Sequence, residues 1–236
     1  MEKVAIIIPA FNEEDSIAHV LNELNDLQTR TDFIFDCVVI NDRSSDKTGK
    51  IAEQFPCTVL HMPIQCGIGG AVQTGLKYAL ANNYNYAIQL DGDGQHIPAE
   101  IPKLMAGIEL NLDVVIGSRF IDKNGFQSSF MRRIGINYFK LLNRLLIGVE
   151  INDNTSGFRL FNKKALLVAA GYYPDEYPEP ETIVLFTKAG LKIGEVSVKM
   201  RERIGGKSSI GFTKSIYYIF KVTLAIIFSS LKNKKA

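Results

Sequence analysis

Short apolar runs alternate with helix-like segments through the first 90 residues of the chain. Four such runs predict β-strands: VAIII (4–8), CVVI (37–40), TVLHM (58–62) and YAIQL (86–90). Apolar residues recur at helical spacing from Glu13 to about Leu27, and a helix is also predicted to end near Ala81. This alternation predicts an α/β fold, a Rossmann-like domain whose mostly parallel central sheet is flanked by helices.

The second half of the chain has a less regular pattern. The run DVVIGS (113–118) predicts a strand, residues 131–146 and 182–189 predict helices, and KIGEVSVKM (192–200) predicts a further strand. At 236 residues the chain suits one large domain. We therefore expect a single domain over residues 1–211 and a C-terminal apolar helix over 212–236.

The C-terminal segment is apolar from Ile216 to Phe228 apart from Lys221 and Thr223, and three lysines follow it. It is shorter than the roughly 18 to 20 apolar residues that span a bilayer. An interfacial helix, with its lysines on anionic headgroups or on a small membrane partner protein, is one interpretation. Packing against the domain core or a second subunit is the other, so a homo-oligomer is left open.

Charge and cysteine usage exclude several classes of protein. The 27 basic and 25 acidic residues nearly balance, which gives no overall reason to expect nucleic acid as a partner. The three cysteines, Cys37, Cys57 and Cys66, lack the spacing of a metal or redox site. Because the N-terminus begins with a strand-like run instead of a secretion signal, we expect a cytoplasmic protein.

The stretch QLDGDGQH (89–96) places two carboxylates one residue apart at the end of a predicted strand. In extended chain, Asp91, Asp93 and Gln95 project to one side, so their oxygens can converge. Mutual repulsion of the carboxylates would be relieved by Mg²⁺ or Mn²⁺. A calcium-binding loop is the competing motif, but His96 stands where it needs glycine and Pro102 where it needs glutamate. Capping of the next helix would explain one aspartate, not both.

Other loops carry weaker signals. Asp42 and Asp46 follow the second predicted strand, where a carboxylate can accept hydrogen bonds from a nucleoside or cap the following helix. Glu13 is either a helix N-terminal charge or a ligand contact. The glycine-rich stretch GIGGAVQTG (67–75) lacks both common nucleotide-loop patterns, so close helix–sheet packing is the preferred explanation.

The second half also contains six arginines that could recognise phosphates. Guanidinium groups bind phosphate in a bidentate manner, and several near a metal would form a diphosphate or acceptor-phosphate pocket. Taken singly, each is better explained by a surface ion pair. These residues are Arg119, Arg132, Arg133, Arg159, Arg201 and Arg203.

Taken in order, six motifs resemble the family 2 glycosyltransferases of the GT-A fold, in the branch of dolichol-phosphate mannose synthase and bacterial polyprenyl-phosphate sugar synthases. They are IIIPAFNEEDSI, VINDRSSDKTG, GGAVQTG, QLDGDGQH, IGSRF and TSGFRLFNKKAL. The resemblance covers residues 4 to about 211. The sequence departs from the family pattern at Gln65 and Cys66, where many relatives carry an asparagine. It also shows no long transmembrane extension of the kind that some lipid-linked relatives carry.

The resemblance implies a role for several residues. Binding of the nucleotide sugar falls to Pro9, Ala10, Glu13, Asp42, Asp91 and Asp93. The metal ligands would be Asp91, Asp93 and Gln95, and Arg119 would reach the substrate phosphates. The acceptor phosphate would lie near Arg119, Arg133, Ser156 and Arg203, with the register at Arg132 and Arg133 ambiguous by one residue. The catalytic set would comprise Asp93, Arg119, Arg203 and the acidic residue Glu181, with Glu179 second.

The activity implied is inverting transfer of a sugar from a nucleoside diphosphate donor to a polyprenyl phosphate, at the inner face of the membrane. Transfer to a hydroxyl of a lipid-linked saccharide in surface polysaccharide assembly is the alternative, and it would need a general base. A non-catalytic relative that binds nucleotide sugars is the third hypothesis. The intact Asp91, Asp93 and Gln95 set speaks against it.

Overall fold

The computed structural model describes residues 2–31, 34–122, 130–204 and 212–231. The strands are β1 (Val4–Ala10), β2 (Phe35–Asn41), β3 (Thr58–His61), β4 (Tyr86–Gln89), β5 (Val114–Ser118), β6 (Arg159–Asn162) and β7 (Ile193–Ser197). The helices are α1 (Ile17–Arg30), α2 (Thr48–Ala52), α3 (Gly67–Ala81), α4 (Ile101–Ala106), α5 (Phe130–Ile147), α6 (Lys163–Gly171), α7 (Pro178–Lys188) and α8 (Phe212–Leu231).

The seven strands form one sheet in the order β3-β2-β1-β4-β6-β5-β7. All neighbours pair in parallel except β6, which is antiparallel to both β4 and β5. The chain first builds outward from β1 through β2 to β3 and then crosses to β4 on the other side of β1. Such a switch in strand order opens a crevice at the carboxyl ends of the strands. The predicted α/β architecture is confirmed.

Two apolar clusters fill the two faces of the sheet. Every residue of β1 is buried, as expected for a central parallel strand, and its side chains alternate between the clusters. Gly75 of α3 lies so close to β1 that an added Cβ would approach the Ile7 Cγ2 atom within 2.1 Å. Gly69 is likewise pressed against the backbone oxygen of Pro174, 2.0 Å from a hypothetical Cβ. The glycine-rich stretch therefore serves close packing.

The structure differs from the predicted elements in several places, one of which is helix α6, for which no helix was predicted. Helix α1 begins at Ile17 instead of near Glu13, and it is preceded by a turn in which the Glu13 carbonyl accepts from the N–H groups of Ser16 and Ile17. Helix α7 begins at Pro178, four residues early, since proline is favoured in a first helical turn. Strand β6 lies within TSGFRLFNKKAL, for which the pattern predicted no element.

Helix α8 packs one face against α5 and α7. Val222 and Ile226 of α8 join Phe139 of α5 and Val184 of α7 in a buried cluster. The Lys188 ammonium donates to the carbonyls of Ser229 and Ser230 at 2.7 and 2.6 Å, near the carboxyl end of α8 where a cation is favourable. Along the described residues, none of the helices combines the length and apolar character needed to cross a bilayer.

Candidate active site

The loop that follows β4 carries the acidic pair predicted to bind metal. The Asp93 carboxylate is buried and its Oδ1 atom accepts a hydrogen bond from the Gln95 backbone N–H at 2.9 Å. Burial raises the pKa of Asp93 above its ordinary value, and the neighbouring charge of Asp91 raises it further. The two carboxylates thus lie close enough to repel each other, as the sequence predicted. A cation between them would remove that conflict.

His96 and Gly157 fix the position of Asp91. The Asp91 backbone N–H donates to His96 Nδ1 at 3.0 Å, and the imidazole stacks on Phe158 with 5.0 Å between ring centroids. A Cβ on Gly157 would lie 3.2 Å from both Asp91 carboxylate oxygens and 2.8 Å from Gln89 Nε2. The loop around Gly157 therefore forms a tight floor below Asp91. Sequence reasoning used His96 only to reject a calcium loop and so missed this role.

Arg203 brings a positive charge directly to the acidic pair. One of its terminal nitrogens lies 2.8 Å from Asp93 Oδ2, and the other lies 3.6 Å from Glu13 Oε1. Burial raises the pKa of Glu13, and a hydrogen bond from the Ser16 hydroxyl partly offsets the rise. Glu13 therefore belongs to the electrostatic environment of the site. Its contacts do not support the interpretation of Glu13 as a helix N-terminal charge alone.

A short segment, residues 200–204, holds Arg203 in this position. The Arg201 N–H donates to the Gln95 carbonyl at 3.1 Å, and the Ile204 N–H donates to the Asp93 carbonyl at 3.2 Å. The Arg201 guanidinium also forms a bidentate ion pair with Glu23 of α1. The segment therefore runs along the acidic loop and is anchored on both sides of Arg203.

The carboxyl ends of β1 and β2 form the neighbouring wall. The Asp42 N–H donates to the Ala10 carbonyl at 2.9 Å, one residue beyond Pro9. The two Asp42 carboxylate oxygens accept from the backbone N–H groups of Cys66 and Gly67 at 2.7 and 2.8 Å. Asp42 is therefore buried at the start of α3, with its carboxylate already engaged by backbone donors.

Asp46 plays the capping role that the sequence left open. Its Oδ1 atom accepts from the backbone N–H of Thr48 at 2.9 Å, at the start of α2, and its Oδ2 atom accepts from the Glu14 N–H at 3.1 Å. Such bonds satisfy N–H groups that have no partner within a helix. Asp46 therefore links α2 to the loop after β1.

A buried ion pair between Arg119 and Asp153 adjoins the acidic loop. Nε and one terminal nitrogen of Arg119 each lie 2.7 Å from an Asp153 carboxylate oxygen. Burial alone would lower the pKa of Arg119, but Asp153 and, more weakly, Asp91 raise it. Nearby Ser156 is also buried, with its Oγ atom accepting from the Phe158 N–H at 3.3 Å. The positive charge of Arg119 thus interacts with Asp91, while its guanidinium group is hydrogen-bonded to Asp153.

Arg159 is a fully buried cation that sequence reasoning considered only as a phosphate contact. Nε donates to the Ser156 carbonyl at 2.7 Å, and the terminal nitrogens donate to Thr182 Oγ1 at 2.7 Å and the Glu179 carbonyl at 2.9 Å. These acceptors lie in the floor loop and in the first turns of α7. Arg159 therefore joins two structural elements and is not directed at a phosphate pocket.

Glu181 and Arg133 are not brought to the acidic pair by their described contacts. Glu181 Oε1 accepts from the Ser229 hydroxyl of α8 at 2.9 Å and from the Tyr172 hydroxyl at 3.4 Å. Glu179, two residues earlier, projects about 200° away around the helix. Arg133 is exposed on the first turns of α5, and the Arg132 side chain lies outside the described residues. Among the arginine side chains that the structure describes, Arg203 is the one that pairs with Asp93.

Comparison with known proteins identifies the family. The family described as "Glycosyl transferase family 2" matches residues 5–167, well over half of the chain. The chain belongs to this family. The resemblance inferred from the ordered motifs is confirmed.

Two relatives of this glycosyltransferase are named for lipid-phosphate acceptors. Polyprenol monophosphomannose synthase from Mycolicibacterium smegmatis is 26% identical over 94% of this chain and 86% of its own length. Undecaprenyl-phosphate mannosyltransferase from Micrococcus luteus is 31% identical over 70% of this chain and 68% of its own length.

Solved structures share the fold of this glycosyltransferase. Glucosyl-3-phosphoglycerate synthase from Mycobacterium tuberculosis, in a complex with Mn²⁺, UDP-glucose and phosphoglyceric acid, matches with a TM-score of 0.74. The match covers 99% of this chain and 82% of that one, at 18% identity. Identity this low supports the shared GT-A fold and carries no residue role.

The donor set of this glycosyltransferase suits a hard divalent cation that substrate oxygens would complete. Within the described ranges, no group of three His, Cys, Asp or Glu side chains has metal-binding geometry. The loop carries the Asp91 and Asp93 carboxylates and the Gln95 amide, whose oxygens are ligands of the kind that Mg²⁺ and Mn²⁺ prefer. Gln89 Oε1 is buried next to Asp91 and has no hydrogen-bond partner. This oxygen therefore remains available to accept a hydrogen bond at the site.

Proposed function

We propose that this glycosyltransferase transfers a sugar, with inversion, from a nucleoside diphosphate donor to a polyprenyl phosphate at the cytoplasmic face of the membrane. The observation that carries the proposal is the contact of Arg203 with Asp93, whose carboxylate is repelled by the neighbouring charge of Asp91. That arrangement suits a metal-bound diphosphate beside a second phosphate. The names of the two lipid-phosphate relatives support the same acceptor class.

The donor nucleoside would bind along the ends of β1 and β2. Pro9, Ala10 and Glu13 line the first strand end, and Asp42 lies beside Ala10. Each Asp42 carboxylate oxygen accepts one backbone hydrogen bond and keeps a further lone pair for a base or ribose donor. The nucleoside would thus lie in the crevice at the switch in strand order, where α/β sheets bind ligands.

The diphosphate would lie over the acidic loop. Mg²⁺ or Mn²⁺ held by Asp91, Asp93 and Gln95 would neutralise the negative charge that grows on the leaving diphosphate. His96 and Gly157 keep Asp91 in place, and Asp93 is held by the Gln95 N–H. Because these ligands are already held in position, they need to reorganise little as negative charge develops on the leaving diphosphate.

The acceptor phosphate would be held by arginines. Arg203 lies at the acidic loop, Arg119 and Ser156 adjoin it, and exposed Arg133 would approach from the start of α5. Part of the Arg119 fork would remain on Asp153, so Arg119 contributes charge and one free edge. A phosphate is already ionised at neutral pH and can attack without a general base, so arginines suffice.

A sugar hydroxyl is the alternative acceptor. Substitution of Glu181, the candidate general base, distinguishes a hydroxyl acceptor from a phosphate acceptor. A general base must come within hydrogen-bond reach of the attacking hydroxyl, whereas Glu181 is bonded to Ser229 of α8. We predict that Glu181→Gln keeps transfer within about threefold of wild type. A loss of about 100-fold or more, the contribution typical of a general base, would favour a hydroxyl acceptor.

The decisive experiment measures transfer from a panel of GDP-, UDP- and deoxythymidine diphosphate sugars to a short-chain polyprenyl phosphate with Mn²⁺. We expect one donor to support transfer, and Asp93→Asn to reduce it by about 100-fold or more, since charge stabilisation of this kind is worth that much. Exposed Asp175→Asn is the matched control. If the protein binds a donor but transfers the sugar to neither acceptor class, it is a non-catalytic nucleotide-sugar-binding protein and the proposal is wrong.

A further inference from the structure

The His61 side chain at the end of β3 contacts Asn41 at the end of β2, next to Asp42. Asn41 and His61 are register partners on neighbouring parallel strands. Asn41 Nδ2 lies 3.0 Å from His61 Nδ1, and His61 Nε2 lies 2.9 Å from Glu53 Oε1. Asn41 is buried, whereas the His61 side chain is 51% exposed. A chain of polar contacts therefore runs from the surface to the strand end that carries Asp42.

The Asn41 amide determines which His61 nitrogen carries the proton. Asn41 Oδ1 accepts from the Ser44 backbone N–H at 3.0 Å, so the amide must present its NH₂ group to the imidazole. His61 Nδ1 is therefore the acceptor in that contact, and Nε2 carries the proton that it donates to the Glu53 carboxylate. A second proton, on Nδ1, would place two donors opposite each other. The contact with Asn41 is thus compatible with the neutral imidazole only.

Helix α2 holds both side chains in this contact. A Cβ at Gly49 of α2 would lie 2.5 Å from Asn41 Nδ2 and 2.8 Å from His61 Cε1, so only glycine permits the approach. The Asn41 backbone is fixed as well, because its carbonyl accepts from the N–H groups of Arg43 and Met62 at 2.8 and 2.9 Å. The Asn41 amide and the imidazole are therefore packed against α2 in one arrangement.

The turn that Asn41 closes, residues 41–44, presents Asp42 to the crevice. Arg43, the residue after Asp42, has a left-handed backbone with φ of 57°. For a residue with a side chain this conformation is unfavourable, and it persists where surrounding contacts enforce it. The hydrogen bond from the Ser44 N–H to Asn41 Oδ1 spans Arg43 and supplies such a contact. The orientation of the Asn41 amide therefore bears on the position of Asp42.

We propose that His61 is a positioning residue for the nucleotide donor: as acceptor for the Asn41 amide, it holds the 41–44 turn that presents Asp42. The proposal rests on the proposed function, in which Asp42 binds the nucleoside. Among the described residues, Glu53 is the charged group in contact with the imidazole, and it can accept from Nε2 in either protonation state. Protonation therefore breaks the Asn41 contact alone, and donor affinity falls as histidine becomes charged, ordinarily between pH 8 and 5.

Isothermal titration calorimetry of the full chain with GDP, UDP and deoxythymidine diphosphate, each with Mn²⁺, tests the proposal. For the diphosphate that wild type binds most tightly, His61→Leu should bind about fivefold more weakly at pH 7.5, the change that one hydrogen bond of ordinary net strength produces. His61→Asn offers an acceptor near the position of Nδ1 that does not titrate, so its affinity should stay within about twofold of wild type. Between pH 7.5 and 5.5, wild type should lose about threefold more affinity than His61→Asn.

The matched control is His19→Asn on α1. The His19 side chain is 49% exposed and also pairs with a glutamate, Glu23, at 3.4 Å. This variant should keep the pH dependence of wild type. All variants retain His96, so its titration cannot produce a difference between them. An equal loss of affinity at pH 5.5 in wild type and His61→Asn overturns the proposal.

Nuclear magnetic resonance of the imidazole nitrogens tests the contact without nucleotide. We expect neutral His61 to carry its proton on Nε2, and a proton on Nδ1 overturns the proposal. If wild type binds none of the three diphosphates, the proposed function is wrong and the role of His61 falls with it. Tight binding by wild type that His61→Leu leaves unchanged refutes the role of His61 alone.

Discussion

Arg203 contacts the carboxylate that we propose as a metal ligand, and this contact has a measurable consequence. Its guanidinium lies 2.8 Å from Asp93 Oδ2, so Arg203 would have to move or share that oxygen if Mn²⁺ bound there as proposed. Replacing Arg203 by glutamine removes this competition and one positive charge. We therefore predict that Arg203→Gln binds Mn²⁺ more tightly than wild type when no nucleotide is present.

The magnitude follows from the exposure of the pair. The Arg203 side chain is 31% exposed and Asp93 is 6% exposed, so the contact is partly screened by solvent. Ion pairs with partial exposure are worth up to about 1 kcal/mol, which corresponds to a roughly fivefold change in affinity. With nucleotide diphosphate present the sign should reverse, because Arg203 would then contribute a favourable contact with phosphate.

Electron paramagnetic resonance of free Mn²⁺ during a protein titration measures both affinities. The matched control is Arg30→Gln, an exposed arginine at the far end of α1, about 20 Å along the helix from the site. At physiological salt a charge at that distance is screened, so the control should change Mn²⁺ affinity by less than about twofold. Unchanged or weaker Mn²⁺ binding by nucleotide-free Arg203→Gln would refute the reasoning.

Two further predictions concern stability. Asp153→Ala leaves Arg119 charged, buried and unpaired, so urea unfolding should show a loss of about 3 to 5 kcal/mol, and a loss below about 1 kcal/mol would contradict the buried pair. Burial alone would raise the pKa of Asp113, but hydrogen bonds from the Lys192 N–H and Asn162 hold it below its ordinary value. Asp113 thus stabilises the fold above its unfolded pKa and loses that contribution as the pH falls through the folded pKa. Asp113→Asn should therefore lower the melting temperature at pH 7 and much less below about pH 3, and an equal loss at both pH values would refute it.

The acidic loop was predictable from the sequence because its geometry is local. Asp91, Asp93 and Gln95 follow a buried strand at alternate positions, and the strand end fixes where they lie in an α/β sheet. The predicted strands and long helices were found for the same reason, since each depends on the periodicity of its own segment. Asp42 was likewise placed at the correct sheet edge by the strand before it.

Contacts between distant segments could not be predicted in this way. Arg203 reaches Asp93 only because the 200–204 segment pairs with the acidic loop more than 100 residues earlier. Strand β6 has the sequence RLFN, with a polar residue at each end and therefore no apolar run, and its antiparallel direction is set by its neighbours. Glu181 was assigned by its position among acidic residues, whereas its direction depends on the packing of α8.

Helix α7 connects the candidate active site to helix α8. At its first turns, the Glu179 carbonyl and Thr182 hydroxyl accept from Arg159, which also holds the floor loop beneath Asp91. Further along, Val184 packs in the cluster that holds α8. A buried network and a packed apolar cluster therefore lie between the floor of the site and α8. Well-packed interiors transmit displacement with little deformation. The position of α8 relative to the acidic loop is therefore set by the core of the domain and not by a flexible linker.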